Sequence, residues 1–244
     1  MDEGGDLRLS EILAALSYAL DITEGQPAGH AVRTCLIGMR LADEVGLEIE
    51  DRAALFYALL LKDAGCSSNA AKISALFGVD DAVAKRNVKT VNHSFLPEAL
   101  GYVLRNVGSK RDLVRVLRAG PKSARELVEI RCERGAEIAL MLDLPSQTAE
   151  AIRTLDEHWD GKGHPAGLAG EEIPRLGRIV CLAQTVEVFL TSFGRDAAVE
   201  MAFERTGRWF DPELVRVLGS LRGHEGFWAS LGREARANVA ALEP

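Results

Sequence analysis

Residue types able to do chemistry gather at three points in the chain. One is the stretch Trp159-Asp160-Gly161-Lys162-Gly163-His164-Pro165-Ala166-Gly167-Leu168-Ala169-Gly170. Its glycines permit tight-turn and left-handed angles, and Pro165 and Pro174 fix φ on either side. By composition alone this is a surface loop joining two helices, with His158 and His164 at its ends. The second point is Asp63, which follows the apolar run 53–61 and stands beside Lys62. A carboxylate on an apolar helix needs a partner, a cation sooner than a metal. The third is the segment 105–134, with nine Lys or Arg against Asp112, Glu126, Glu129 and Glu133. Such a run reads as a solvated helix face, with a phosphate-facing surface as the alternative.

The elements that must position these residues are helical almost throughout. Leu9, Ile12, Leu13, Leu16 and Leu20 recur at spacings of three and four, which predicts a helix with those residues on one face and Ser10 near its N-cap. A second helix is expected over 26–45, with Pro27 in its first turn and Gly46 as its stop. A third, over 50–63, is apolar on nearly every side and must be central. Shorter helices are expected over 69–77 and 80–92, and Gly120–Pro121 reads as a break. Longer ones follow over 123–142 and 145–159. After the glycine-rich loop, Leu176, Ile179, Val180, Ala183, Val186 and Val188 predict another buried helix. One more is expected over 197–206, stopped by Gly207, and Asp211–Pro212 caps the next. No strand pair is evident. The expected fold is all-α: a flexible start at 1–7, one domain over 8–222, and an extension or linker at 223–244.

Composition excludes several classes. The chain has 244 residues, 47% hydrophobic and 27% charged, with a formal net charge of -7. That balance argues against a dedicated nucleic-acid binder. No apolar run approaches the roughly 20 residues a membrane span requires. Met1 to Asp6 is acidic and unlike a secretory signal. Cys35, Cys66, Cys132 and Cys181 form no C-x-x-C pair, which suits reduced thiols and a cytoplasmic location.

The loop string, continued through Ile173-Pro174, resembles the signature of the HD-GYP family, a branch of the HD phosphohydrolase superfamily. The family pattern is D-G-x-G-Y-P-x-G-L-x-G-x-x-I-P, and His164 stands in place of its tyrosine. Further resemblances follow in the same order. Gly29-His30 with Arg33 looks like the first metal-binding histidine. Leu61-Lys62-Asp63-Ala64-Gly65 looks like the H-D-x-G element. The stretch 131–140, with Gly135-Ala136-Glu137-Ile138, looks like an H-x-x-x-G-A-E-I-L helix. Phe210-Asp211-Pro212-Glu213-Leu214-Val215 matches the closing F-D-P-x-x-V helix. The resemblance implies a helical HD-type bundle around two or three iron or manganese ions, and hydrolysis of cyclic di-GMP or a related cyclic dinucleotide.

Position by position, most of the implied ligands are missing. His30, Asp63 and Asp156 stand as vestigial metal positions, the first two matching the family residue. Lys62 replaces the histidine of the H-D pair, Cys66 the following lysine, and Arg131 the histidine of the next helix. Leu155 and Asp156 fall on the paired histidines, Glu157 keeps the next glutamate, Gln184 replaces a late aspartate, and Glu187 keeps the second acidic position. Two cations near a dication site each add roughly several kcal/mol of repulsion, even at an effective dielectric of ~20. No metal cofactor is therefore expected, with His30 and Asp63 as the weak candidates and iron or manganese the ion if hydrolysis persists. Lys62 and Arg131 are expected to pair with Asp63, Asp156 or Glu157. Asp160, Gly161, Gly163, His164 and Pro165 mark the signature loop, where His164 is a candidate contact to a partner or a phosphate. Cys66 and Cys132 read as buried small residues, the tryptophans as packing, and His93 and His224 match nothing.

Three functions are compatible with this pattern. The first expectation is a non-catalytic regulatory or interaction module, pairing with itself or a partner protein, any catalytic or DNA-binding neighbour lying outside this sequence. The second is a sensor holding a cyclic dinucleotide or other phosphate compound on free Lys62 and Arg131 donors. The third is a residual hydrolase with a single metal on His30, Asp63 and Asp156.

Overall fold

A computed structural model describes residues 9–23, 26–69 and 110–244. The helices expected over 69–77 and 80–92, and His93, lie outside the described residues or, at Asn69, on their edge. The helices are α1 (Leu9–Thr23), α2 (His30–Glu44), α3 (Ile49–Leu61), α4 (Lys110–Met141), α5 (Ser146–Thr154), α6 (Arg175–Phe193), α7 (Arg195–Glu204), α8 (Pro212–Ser220), α9 (Glu225–Ser230) and α10 (Ala235–Ala240). A 3-10 turn, Cys66–Asn69, follows α3. Among the described residues the only β pairing is two isolated bridges, Asp160 with Ala169 and Thr206 with Phe210. The fold is all-α, as expected.

The core forms where α3 and α6 meet α2 and α5. Ala54, Leu55, Phe56 and residues 58–61 of α3 are wholly enclosed, which is why that helix can be apolar all round. Ile179, Val180, Leu182, Ala183 and Val186 do the same on α6. By length and composition α6 is also apolar enough to cross a membrane, contrary to the sequence expectation, but 67% of its apolar window is buried by the other helices. It is the central helix of the bundle.

Two further expectations from sequence do not hold. Helix α4 runs unbroken through Gly120 and Pro121. An interior proline forgoes one backbone bond, and the remaining turns of a 32-residue helix carry the element through it. On α1 the buried positions are Leu13, Ala14, Ser17 and Asp21, whereas Leu9, Ile12 and Leu16 are exposed. The helix is rotated from its most apolar face because Asp21 is drawn inward to the N-terminus of α2. The last helices are packed elements: Val239 of α10 is fully buried and α10 lies against α2.

Candidate functional site

The start of α2 determines one half of the site. Gly29 adopts φ +84°, turning the chain so that the first N–H groups of α2 face α1. Asp21 Oδ2 accepts from Gly29 N at 2.7 Å and His30 N at 3.0 Å, and Oδ1 accepts from Ala31 N at 3.3 Å. A carboxylate there satisfies otherwise orphaned donors and meets the positive end of the helix dipole. Burial nevertheless raises the Asp21 pKa, more than the nearby His30 and Lys62 and these N–H bonds lower it.

His30 is completely buried. Its Nδ1 meets Glu187 Oε2 on α6, and Glu187 Oε1 accepts from Arg33 Nε at 2.7 Å. Burial, followed by the Lys62 charge, holds the His30 pKa below its usual value. The ring is therefore neutral near pH 7, with the Nδ1 hydrogen donated to Glu187. Burial pushes Glu187 up, but His30 and the Arg33 guanidinium outweigh it and leave its pKa low. His30 Nε2 is then a bare lone pair with no hydrogen-bond partner among the described residues. It points toward Asp63, 3.9 Å from Oδ2. That same Oδ2 is ion-paired with the Lys62 ammonium, itself fully enclosed.

The other half lies between α4 and the turn after α5. Gly65 is packed so closely on α4 that a Cβ there would stand 2.0 Å from the Arg131 carbonyl oxygen. Arg131 forms an ion pair with Asp156. Gln184 of α6 donates from Nε2 to the Leu155 carbonyl at 3.1 Å and to Asp156 Oδ1 at 3.3 Å. Cys132 Sγ lies 3.8 Å from Asp156 Oδ2, as Cys66 Sγ lies 3.9 Å from Asp63 Oδ1. None of the four cysteines is in a disulfide, and all are buried. Leu155 is part of the apolar core.

Of the three acids expected as partners of Lys62 and Arg131, Asp63 and Asp156 take them and Glu157 does not. Rather than pairing with Lys62 or Arg131, it organises the signature loop: its oxygens accept from the N–H of Ala166 at 2.6 Å, Gly167 at 3.0 Å and Leu168 at 3.1 Å. Gly163 is pressed against the backbone of Glu157 and His158, where a Cβ would come within 2.1 Å of His158 N. His164 N–H donates to the Asp156 carbonyl at 3.0 Å, which ties the loop to the second cluster. Gly161 takes φ +75°, and Asp160 bridges Ala169 while its carboxylate meets Lys162 at 3.3 Å. The His164–Pro165 peptide is cis. His158 stacks on Trp209 with ring centroids 4.2 Å apart. Exposed His224 joins neither cluster.

The donors present do not fit a multi-metal centre. Among the described residues no group of three or more His, Cys, Asp or Glu side chains is arranged to hold an ion. Each cluster brings a cation onto the carboxylate a metal would need. Lys62 and Arg131 are each paired with a carboxylate of the fold, where the sensor expectation had them facing an open pocket. A cavity of about 460 Å³ opens beside the loop, but Glu129, Glu133, Glu150 and Glu157 line it against Arg153 alone, a lining that repels phosphate.

Asp21 is a positioning residue, holding the start of α2, that the sequence alone does not single out. Its one available signal is an acid shortly before Gly29-His30 at a helix start.

The bundle, the buried Lys62–Asp63 element and the glycine loop define a class: residues 119–214 match the HD domain family, and the chain belongs to the HD phosphohydrolase superfamily. Among its relatives is the 3'3'-cGAMP-specific phosphodiesterase 3 of Vibrio cholerae, 41% identical over 230 residues, 91% of this chain and 50% of that protein. The cyclic di-GMP phosphodiesterase response regulator RpfG of Xanthomonas campestris is 25% identical over 88% of this chain and 48% of its own length. A crystal structure of the cyclic GMP-AMP specific phosphodiesterase V-cGAP3 of V. cholerae superposes with a TM-score of 0.77 at 36% identity, over 97% of this chain and 54% of that one. The chain thus spans about half the length of these relatives. They overturn the expectation of a non-catalytic regulatory or interaction module: the similar proteins are phosphodiesterases, and the likeness to the first extends across nearly the whole chain.

Proposed function

We propose that this chain works in the hydrolysis of a cyclic dinucleotide, with 3'3'-cGAMP as the first substrate to test and cyclic di-GMP as the second. The observation that carries this reading is the 41% identity over 230 residues to a cGAMP-specific phosphodiesterase. The reaction adds water across one phosphodiester: a P–O bond forms to the water oxygen, the P–O bond to one ribose breaks, and that ribose oxygen takes the proton. No step of it is assigned to an ion on Asp63 or Asp156, because their cation partners oppose one. The described residues supply the HD scaffold and the Glu157-anchored loop at its surface. A cytoplasmic location and self-pairing belong to the same proposal.

The test is incubation of the purified protein with each cyclic dinucleotide, with and without added Mn²⁺ or Fe²⁺, followed by chromatographic separation of cyclic and linear products. Linear dinucleotide appearing faster from 3'3'-cGAMP than from cyclic di-GMP supports the reading. Absence of linear product from both, under every metal condition, would overturn it.

A further inference from the structure

We infer that the Lys62 ammonium is a built-in substitute for a metal ion: it and a divalent cation are mutually exclusive partners of Asp63 Oδ2, the oxygen that His30 Nε2 faces. Three observations carry this. The ammonium is enclosed and paired with Asp63 Oδ2. His30 Nε2 lies 3.9 Å from that same oxygen and has no hydrogen-bond partner among the described residues. A lone pair and a carboxylate oxygen converging on one buried place form a cation-binding pair, and a cation already stands at one of them. Finally, the surroundings are arranged for one unit charge. The Glu187 carboxylate is engaged by His30 and Arg33, and Asp21 by three backbone N–H groups, which leaves Asp63 as the acid that Lys62 balances.

The chemistry is competition. A buried carboxylate requires a counter-charge, and a tethered ammonium supplies it at no cost in association entropy. A dication brought to Asp63 would face Lys62 at short range in a place of low dielectric. Asp63 and His30 therefore hold the bundle together without a metal, and the side chain at position 62 decides which kind of cation they hold. This inference does not depend on the phosphodiesterase reading, because its readouts are metal content and melting temperature.

The test uses the full chain purified without chelator, with elemental analysis and thermal melts in EDTA and in Mn²⁺. Wild type is expected to carry no metal that a His30→Gln change removes, and to show the same Tm in EDTA and in Mn²⁺. Lys62→Gln is expected to lower Tm by roughly 10 °C, the scale of a broken buried pair in a chain this size, and to regain part of that loss in Mn²⁺. Lys62→Arg, which keeps the charge, is expected to stay indifferent to Mn²⁺ and serves if Lys62→Gln does not fold. Stoichiometric metal in wild type that His30→Gln abolishes would overturn the inference. So would a Lys62→Gln protein as stable as wild type, or a Lys62→Arg protein whose Tm rises in Mn²⁺.

Discussion

The carboxylate of Asp21 on α1 accepts the backbone N–H of His30, the first residue of α2, at 3.0 Å. This bond, with those from Gly29 and Ala31, fixes the end of the helix that presents His30 to Glu187 and Asp63. Replacing Asp21 by Ala removes an acceptor shared by three N–H groups, of which His30 keeps the Pro27 carbonyl at 3.1 Å. The expected loss is about 2 kcal/mol or somewhat more, the upper range for a helix cap plus a buried unsatisfied group. Urea denaturation of the variant against wild type measures it, and an unchanged midpoint would mean that α2 starts correctly without its cap.

The signature loop should depend on Glu157 rather than on its glycines alone. Glu157→Gln replaces one accepting oxygen by an NH₂ that cannot accept from Ala166, Gly167 or Leu168. The expected effect is local: faster hydrogen exchange at those three amides and a stability loss of about 1–3 kcal/mol. Equal exchange rates in both proteins would show that the loop holds its shape without the carboxylate.

Gly65 is where the Lys62–Asp63 turn meets α4. A Cβ at this position would strike the Arg131 carbonyl and stand 2.6 Å from Gly135 N. Gly65→Ala must push the turn away from α4, at a cost of about 1–3 kcal/mol by the usual scale of overpacking. Backbone offers less relief than a flexible side chain, so the upper end is expected. Thermal melts of Gly65→Ala beside Gly46→Ala separate close contact from backbone strain. Gly46 takes φ +64°, and a Cβ added there would meet nothing within 4 Å.

Acid should weaken the fold in two stages. His30 binds its proton less readily folded than unfolded. Below its unfolded value of about 6.5 the unfolded chain therefore takes up more protons, and stability falls with pH. The low pKa of Glu187 acts in the same direction: its contribution is present above the ordinary carboxylate value of about 4.3 and is lost as pH drops through the folded value. Asp21 has the opposite sign, since its raised pKa favours the folded state at low pH. The charged groups that face this pair are Lys62, Asp63 and Arg33. Tm is expected to decline from pH 7 to pH 5, and a His30→Gln variant to show a flatter profile across that interval. Parallel profiles would remove His30 as the cause.

Much of the architecture is legible because periodicity and punctuation act locally. The apolar run of α3, the stop at Gly46 with φ +64°, and the Asp211 cap, whose carboxylate accepts Glu213 N–H at 2.8 Å, are each set by a few neighbouring residues. The loop string and the order of motifs are equally readable, and with them the superfamily. The function is not. Missing ligands at Lys62, Arg131 and Leu155 point away from catalysis, while the likeness to a phosphodiesterase extends over nearly the whole chain.

Sequence by itself determined the helices, their punctuation and the residue types where the resemblance implies metal ligands, since these follow from covalent spacing and side-chain chemistry. Tertiary structure alone decided the pairings. That Lys62 turns onto Asp63, that Arg131 takes Asp156, and that Glu157 binds backbone N–H groups depend on which helix faces which. It also decided that α1 buries Asp21 in preference to Leu16. The physical reason is that a buried charge is governed by the partner brought to it across the fold, and no spacing along the chain specifies that distance.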